Sequence, residues 1–398
     1  MCAVEWKSLE ELGNFYGGLS GKSKEDFQDG NAKFVTYMNV YSNMSLDFTI
    51  VDMVKVGEDE KQNSIKYGDI LFTGSSETPD DCGMSCVVTR HIDEPIYLNS
   101  FCFGFRFDDV EKFEPDFLKH YFRCIAMRKA ISLTASGVTR FNVSKKRFGK
   151  IQIPLLHVSK QQEIVSHLDT FTTLISNLES ELDMRRKQYE HYRNQLLDFE
   201  GVEGVEWKTL GDVCDFIRGP FGGALKKEMF VKEGYAIYEQ QHAIYGDWIF
   251  RYFINEDKFH QMKRFEVKAG EILMSCSGTM GKTSIVPENP IKGIINQALL
   301  KLSVKEIATN KFVKAFMDSS WFQKGLSQNT SGGAIQNVAS VSILKTLEIP
   351  LPSLKTQQEI VEKLDAFENL IQSLDQEIKL RKQQYEYYGE KLLTFEKE

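Results

Sequence analysis

The sequence predicts an α+β protein: two mixed α/β heads in a pseudo-twofold arrangement, joined by two long antiparallel coiled-coil helices. Three observations predict it. A 48-residue segment occurs twice, at a constant offset of 196. Each copy spaces its apolar residues alternately by four and three. The regions preceding the copies share short anchors in the same order. An internal repeat fixes chain organisation before any other fold question. The order is therefore head (1–152), central spacer helix (153–201), head (202–348) and distal spacer helix (349–398).

The helices carry the strongest signal. Residues 153–200 and 349–396 align without a gap and match at 24 of 48 positions. The first seam runs Ile164, Leu168, Phe171, Ile175, Leu178, Leu182, Arg185 and Tyr189; the second runs Ile360, Leu364, Phe367, Ile371, Leu374, Ile378, Arg381 and Tyr385. This is an a/d heptad pattern sustained for about five heptads, so each copy reads as one helix of roughly 40 residues and roughly 60 Å. Ser159 and Thr356 are the expected N-caps, Thr356 with Glu359 as a capping box. Arg185 and Arg381 interrupt the seams, either snorkelling to a carboxylate or fixing register. A seam needs a partner. The simplest is the other copy; a second chain or another protein are the alternatives. The shared pentapeptide QQEIV opens both seams. Gln161, Gln162, Glu163 and their twins Gln357, Gln358 and Glu359 read as helix-start and docking surface.

The heads come next. VEWKSL at Val4 returns as VEWKTL at Val205, and KYGDILFTGSS at Lys66 returns as KAGEILMSCSG at Lys268. DILFTG and EILMSC read as strands, as do IQIPL and LEIPL before their prolines. FLKHYFRCIAMRKAI and KFVKAFMDSSWFQKGL each read as an amphipathic helix. Trp6 and Trp207 read as packing anchors rather than ligand-stacking residues. The repeat is nearly cyclic, so the two chain ends are expected beside each other. Between the anchors the heads share little, as one fold carrying two surfaces would.

Composition sets limits. Hydrophobic residues make up 42% and charged residues 26% of 398, typical of a globular protein. No apolar run reaches a membrane span, the first residues do not resemble a signal peptide, and cytoplasm is the expected location. Seven scattered cysteines and seven dispersed histidines hold no metal-ligand spacing, so no metal is expected. The net charge is −7, but the helices carry most of the excess acid. Between Phe117 and Gln162 there is no Asp or Glu, against ten Lys or Arg. That window suits a polyanion.

IPLP…QQEIV…LD…, RKQQYEYY and KLLTFE in the helices, with VEWK-[ST]-L opening each head, resemble the specificity subunit of type I restriction–modification systems. The resemblance covers essentially the whole chain. It implies that each head is a target-recognition domain reading one half of a bipartite, asymmetric site in double-stranded DNA. It implies that the paired helices set the gap and dock two DNA methyltransferase subunits, and that restriction/translocase subunits join through the complex. No catalysis or cofactor is implied in this chain; S-adenosylmethionine, ATP and Mg belong to the partner subunits. A coiled-coil scaffold with two ligand- or protein-binding heads is the alternative. Half-sites read from one DNA face lie about one helical turn, ~10 bp, apart.

Candidate DNA contacts follow from residue chemistry. In the first head Arg140 can pair with guanine and Asn142 with adenine. Lys145, Lys146 and Arg147 suit phosphates, which position without reading sequence. Ser20 and Lys22 could add to these. In the second head Gln336 and Asn337 are the base-reading candidates, and Gln241 and His242 in EQQHAIYGDW could add to these. SCSGTMGKTS at Ser275 imitates a phosphate-binding loop, but Cys276 stands where Walker A needs its first glycine. A DNA-facing loop fits better, with Thr279 and Lys282 as contacts; it also looks like the S-G-T-x-G-K pattern of this family.

Overall fold

The computed structural model describes residues 4–221, 223–276, 279–328 and 341–396. The chain forms two compact units, Met1–Glu179 with Gln376–Glu398, and Ser180–Asp375. The division falls inside both long helices, and both ends of the chain belong to the first unit.

The first unit holds strands β1 (Glu5–Ser8), β2 (Gly13–Gly17), β3 (Ala32–Val35), β4 (Val51–Val54), β5 (Ile70–Thr73), β6 (Ser75–Ser76), β7 (Ser85–Val87), β8 (Ile96–Leu98), β9 (Cys102–Phe107), β10 (Ala135–Ser136), β11 (Phe141–Val143) and β12 (Gln152–Leu155). Its helices are α1 (Leu9–Leu12), α2 (Tyr37–Ser42), α3 (Pro115–Tyr121), α4 (Ile125–Ser132), α5 (Lys145–Phe148) and the start of α6 (Val158–Leu196). An antiparallel sheet runs β2-β9-β5-β7, a mixed sheet β4-β3-β8, and a small sheet β10-β11-β6. The run ILFT at β5 is buried on both faces. Ile70 and Phe72 enter one core with Phe103 and Phe105, while Leu71 enters another with Val35 and Cys86. That is why the strand reads as continuous apolar sequence instead of alternating.

The second unit repeats this frame. It contains β13 (Glu206–Thr209), β14 (Cys214–Arg218), β15 (Phe230–Val231), β16 (Tyr235–Tyr238), β17 (Phe253–Ile254), β18 (Ile272–Ser275), β19 (Thr283–Ile285), β20 (Gly293–Ile295), β21 (Leu299–Val304) and β22 (Glu348–Leu351). Its helices are α7 (Leu210–Val213), α8 (Gln240–Tyr245), α9 (Glu256–Gln261), α10 (Asn310–Met317), α11 (Ser320–Gln328), α12 (Val341–Thr346) and part of α13 (Leu354–Leu393). The sheet β14-β21-β18-β19 matches β2-β9-β5-β7 in order. Ile272 and Met274 enter one core and Leu273 another, as in β5. The sequence anchors pair with each other: Trp6 opposes Pro154 in β1–β12, and Trp207 opposes Pro350 in β13–β22. Each is a two-stranded ribbon, where proline's missing N–H is tolerated.

Two segments expected as single helices are each broken in two. α3 ends before Phe122 and α4 begins at Ile125; α10 ends before Asp318 and α11 begins at Ser320. Ser319 caps α11 by accepting from the Phe322 N–H at 3.3 Å. The expected caps of the long helices also move. Ser353 Oγ accepts from the Thr356 N–H at 3.2 Å, and His157 Nδ1 takes the matching role toward the Ser159 N–H at 3.3 Å. Both helices begin earlier than the heptads alone suggest.

Each unit pairs a stretch of α6 with a stretch of α13, antiparallel. In the first, Phe171 stacks on Tyr388 at 5.4 Å and Glu179 meets Lys382 at 2.7 Å. In the second, Arg186 meets Asp375 at 3.4 Å and Tyr192 stacks on Phe367 at 5.4 Å. The seam partner is the other copy. Ile164 and Leu168 are buried in the core of the first head, and Ile360 and Leu364 in that of the second. Leu182 and Ile378 are also buried, whereas Phe171, Ile175, Leu178, Tyr189, Phe367, Ile371, Leu374 and Tyr385 are half-buried, since one partner helix covers one side only.

The first glutamine of QQEIV is not surface. Gln161 is 1% exposed and Gln357 fully buried. Gln161 Oε1 accepts from the Glu114 N–H at 2.9 Å, and its Nε2 donates to the carbonyls of Lys112 and Leu156 at 2.8 and 2.9 Å. Gln357 Oε1 accepts from the Thr309 N–H at 2.9 Å, and its Nε2 donates to Pro352 and Ile307. Glu114 and Thr309 are the N-caps of α3 and α10. Each glutamine therefore fastens a spacer helix to the start of a head helix.

Candidate nucleic-acid interface

In each head a short helix lies against the hairpin that follows the buried strand: α2 beside β5 and β7, α8 beside β18 and β19. Tyr37 donates its hydroxyl to the Ser75 carbonyl at 2.8 Å, and Gln240 Nε2 approaches the Thr279 carbonyl at 3.4 Å. Gly83 and Gly281 sit at the far side of the two loops, with φ of +66° and +74°. A Cβ would strike Ile131 in the first and Leu326 in the second, within 2.6 Å, so glycine is required twice over.

The acid-free window supplies struts as well as surface. Arg123 Nη2 donates to the carbonyls of Val40, Tyr41 and Asn43 and its Nε to Ser85, holding the end of α2. Arg128 donates to the carbonyls of Asp80, Cys82 and Gly83. Burial lowers the pKa of both, Arg128 to about 10. Lys119 is paired with Asp116 and Asp169. A guanidinium has five donors, and here they satisfy carbonyls at the end of α2, in the loop before β7 and at its first residue.

The sequence candidates divide accordingly. Arg140 is exposed, with Nε donating to Ser75 Oγ at 3.1 Å and its guanidinium 5.7 Å from the Phe101 ring. Asn142 is exposed on β11, opposite Ser75 on one side and Ser136 on the other. Lys145 and Lys146 open α5 and are exposed, Lys145 lying 5.2 Å from the Phe103 ring. Arg147 points back to the carbonyls of Leu133 and Ala135 at 3.5 and 3.4 Å, which makes it as much a brace as a contact. Ser20 is exposed, its backbone bonded to Gln62. Lys22 is neutralised by Glu60 and its side chain is 6% exposed, so it offers little free charge.

In the second head, Thr279 and Lys282 are exposed on the β18–β19 loop, and Lys282 has no side-chain partner among the described residues. Gln241 is half-buried with Nε2 on the Ile249 carbonyl at 3.2 Å. His242 is fully buried, which removes it from any contact surface. Its Nδ1 accepts from the Glu239 N–H at 2.7 Å, its Nε2 lies 3.1 Å from the Ile249 carbonyl, and its ring stacks on Phe250. Gln336 and Asn337 lie outside the described residues.

Beside β6 and β11 a cleft of about 550 Å³ is lined by Tyr37, Met38, Tyr41, Glu77 and Arg140, among others. Tyr37 and Tyr41 stack 6.2 Å apart, nearly parallel. The sequence did not single out the tyrosines or Glu77. The only signal available was an aromatic pair at i, i+4 in a short helix.

Residues 3–184 and 202–380 each match the model of the type I restriction modification DNA specificity domain. The chain belongs to that family. It is 32% identical over 247 residues to the specificity subunit of the Escherichia coli type I enzyme EcoR124I/EcoR124II, a match spanning 60% of each chain. It is 33% identical over 317 residues to a putative type I specificity subunit of Haemophilus influenzae, covering 72% of this chain and 73% of that one. Two solved folds are similar over nearly their whole length. One is the S subunit of a type I system from M. genitalium (TM-score 0.54, 14% identity, 100% of this chain and 98% of that one). The other is a chain from a study of type I complex assembly and conformational transition (TM-score 0.63, 15% identity, 99% and 98%). Both specificity domains of this chain therefore belong to the family's fold.

Proposed function

We propose that the chain is the DNA-reading subunit of a type I restriction–modification complex, each head reading one half of a bipartite, asymmetric target in double-stranded DNA. The observation that carries this is the presence of two matched specificity domains on one chain whose hairpin loops share a frame but not side chains. The paired helices set the number of unread base pairs and dock two methyltransferase subunits, through which restriction/translocase subunits join. The chain itself supplies recognition and no catalysis. S-adenosylmethionine, ATP and Mg act on the partner subunits, in the cytoplasm. The acidic helices lie away from phosphates, and Lys145 and Lys146 hold them. Among the described residues, no group of His, Cys, Asp and Glu could hold a metal ion, and no helix is long and apolar enough to cross a membrane.

The test is genome-wide mapping of methylated adenines in cells with and without this gene. A split, asymmetric motif that vanishes on deletion is expected. The chain with its methyltransferase subunits should then retard a duplex carrying that motif more than one with either half scrambled. Unchanged methylation and no selective retardation would overturn the reading.

A further inference from the structure

We infer that Glu77 and Arg140 form a cross-strand pair at the tip of the β6–β11 ribbon that reads one G·C base pair in the first half-site. This rests on the DNA-reading function proposed above and names the chemistry of one contact within it. Four observations support it. First, the register: Phe141 opposes Ser76 and Asn142 opposes Ser75. Arg140 and Glu77 are the next residues beyond the paired stretch on the two strands, and both line the cleft beside the ribbon. Residues directly opposed in an antiparallel pair, and those two apart on a strand, share a face, so continuing the register by one step puts Arg140 and Glu77 on the face of Asn142.

Second, the fork is set. Ser75 Oγ holds Arg140 Nε at 3.1 Å and the Phe101 ring lies under the guanidinium. Both Nη groups lack partners among the described residues, the geometry a bidentate contact to guanine O6 and N7 requires. Third, Glu77 is exposed and has no ion pair or hydrogen bond among the described residues. Its neighbours are engaged: Asp81 accepts from Tyr41 at 3.1 Å and from Thr78 at 2.6 Å, and Asp80 accepts from Ser132 at 3.1 Å. Fourth, three carboxylates within five residues make this a poor seat for phosphate. A carboxylate facing DNA accepts well from the cytosine N4 amine, the partner of the guanine that Arg140 would read. A two-stranded ribbon is one of the two elements the major groove admits. Lys145 and Lys146, exposed and without an ion pair among the described residues, take the phosphates.

The experiment uses the chain assembled with its methyltransferase subunits and duplexes in which each base pair of the mapped site is varied in turn. Arg140→Ala and Glu77→Gln should each lower discrimination by roughly 5- to 150-fold, at the same G·C position of one half-site. The other half-site should be read as before and the salt dependence should keep its slope. Arg140→Lys, which keeps the charge without the fork, should lose discrimination at that position while binding other positions normally. A loss spread equally over all sequences with a shallower salt slope would make Arg140 a phosphate contact and overturn the pair. Unaltered discrimination, or effects at different positions, would overturn it too. In each of those cases the wild-type complex still reads its split site, so the failure is the pair's alone. A wild-type complex without sequence selectivity would overturn the function itself.

Discussion

In the first head Arg128 reaches from α4 to the carbonyls of Asp80, Cys82 and Gly83; in the second, Gln323 reaches from α11 to those of Gly281 and Met317. Both side chains brace the loop that follows the buried strand, and each loop turns on a glycine pinned against the helix that braces it, Gly83 against Ile131 of α4 and Gly281 against Leu326 of α11. The loops differ in what they display. The first is longer and contributes β6 to a three-stranded sheet; the second joins Ser275 to Thr283 and presents Thr279 and Lys282 among its described residues. Where each head meets the spacer, the contrast recurs. In the first, buried His120 lies 2.7 Å from Asp169 and 2.9 Å from the Tyr385 hydroxyl. In the second, the twin of Asp169, Asp365, meets Lys311 at 2.6 Å, and the twin of Tyr385, Tyr189, donates to Glu368. Buried positions are held by the packing they must satisfy, while polar partners at the edges have been exchanged. The frame is the shared part and the edge is the individual part.

The largest effect should come where the heads agree. Gln161→Leu and Gln357→Leu keep volume but strand a buried N–H and two carbonyls, a loss of about 1–3 kcal/mol each. Hydrogen exchange should rise around α3 and the start of α6 in the first variant, and around α10 and the start of α13 in the second. The first should be the more damaging, because its bonds are all 2.9 Å or shorter and one of Gln357's is 3.4 Å. Two variants with wild-type exchange would show that the latch is ornamental.

A smaller effect should separate the heads. Burial holds the His120 pKa below its ordinary 6.5; Asp169 pulls it up, and the Lys119 ammonium pulls it down. The facing groups are Lys119 and Asp116 on α3, Asp169 on α6 and Tyr385 on α13. Neutral His120 donates through Nε2 to Asp169 and accepts from Tyr385 at Nδ1. The folded ring binds a proton less readily than the unfolded one. Its contribution is thus fully present above about pH 6.5 and declines as pH falls from there toward the lower folded pKa. Exchange at the α3–α6–α13 junction should quicken on acidification, with no matching change at α10, where Ala315 takes the place of His120. His120→Gln should flatten the profile. An equal response in both heads would remove His120 as its source.

The sequence displayed the long-range order of the chain because the heptads and the paired anchors are written locally and twice. Ile164 and Ile360 could be placed on seams from spacing alone. Gln161 could not, since a glutamine at a helix start ordinarily faces water, and its burial follows from the loop that α3 brings over it. Glu77 was hidden for another reason. It shares a cleft with Arg140 only through a strand register between residues more than sixty apart, and one residue of slip would put it on the other face. The basic window was legible as charge but not as use: Arg123 and Arg128 turn inward to carbonyls. His242 misled in the same way, polar in sequence and buried beneath aromatic rings.

The smallest effect concerns the seam arginines, which the sequence left with two readings. Arg185 donates to Glu181 at 3.3 Å and Gln188 at 3.0 Å; Arg381 donates to Glu377 at 2.7 Å and Gln384 at 2.9 Å. Each bonds along its own helix, at i−4 and i+3, and both are half-buried. Such pairs contribute about 0.3–0.5 kcal/mol. Leucine at either position would lengthen an apolar stripe without removing a contact between helices. Arg185→Leu and Arg381→Leu should therefore leave the Tyr192–Phe367 and Phe171–Tyr388 stacks in place and change stability by less than about 1 kcal/mol. The arginines would then share a position because the surface of both helices allows it. A double variant whose helices re-register, seen as loss of the distances between labels at those stacks, would instead make the arginines determinants of alignment, and the two halves of the coil would owe their match to a polar pair.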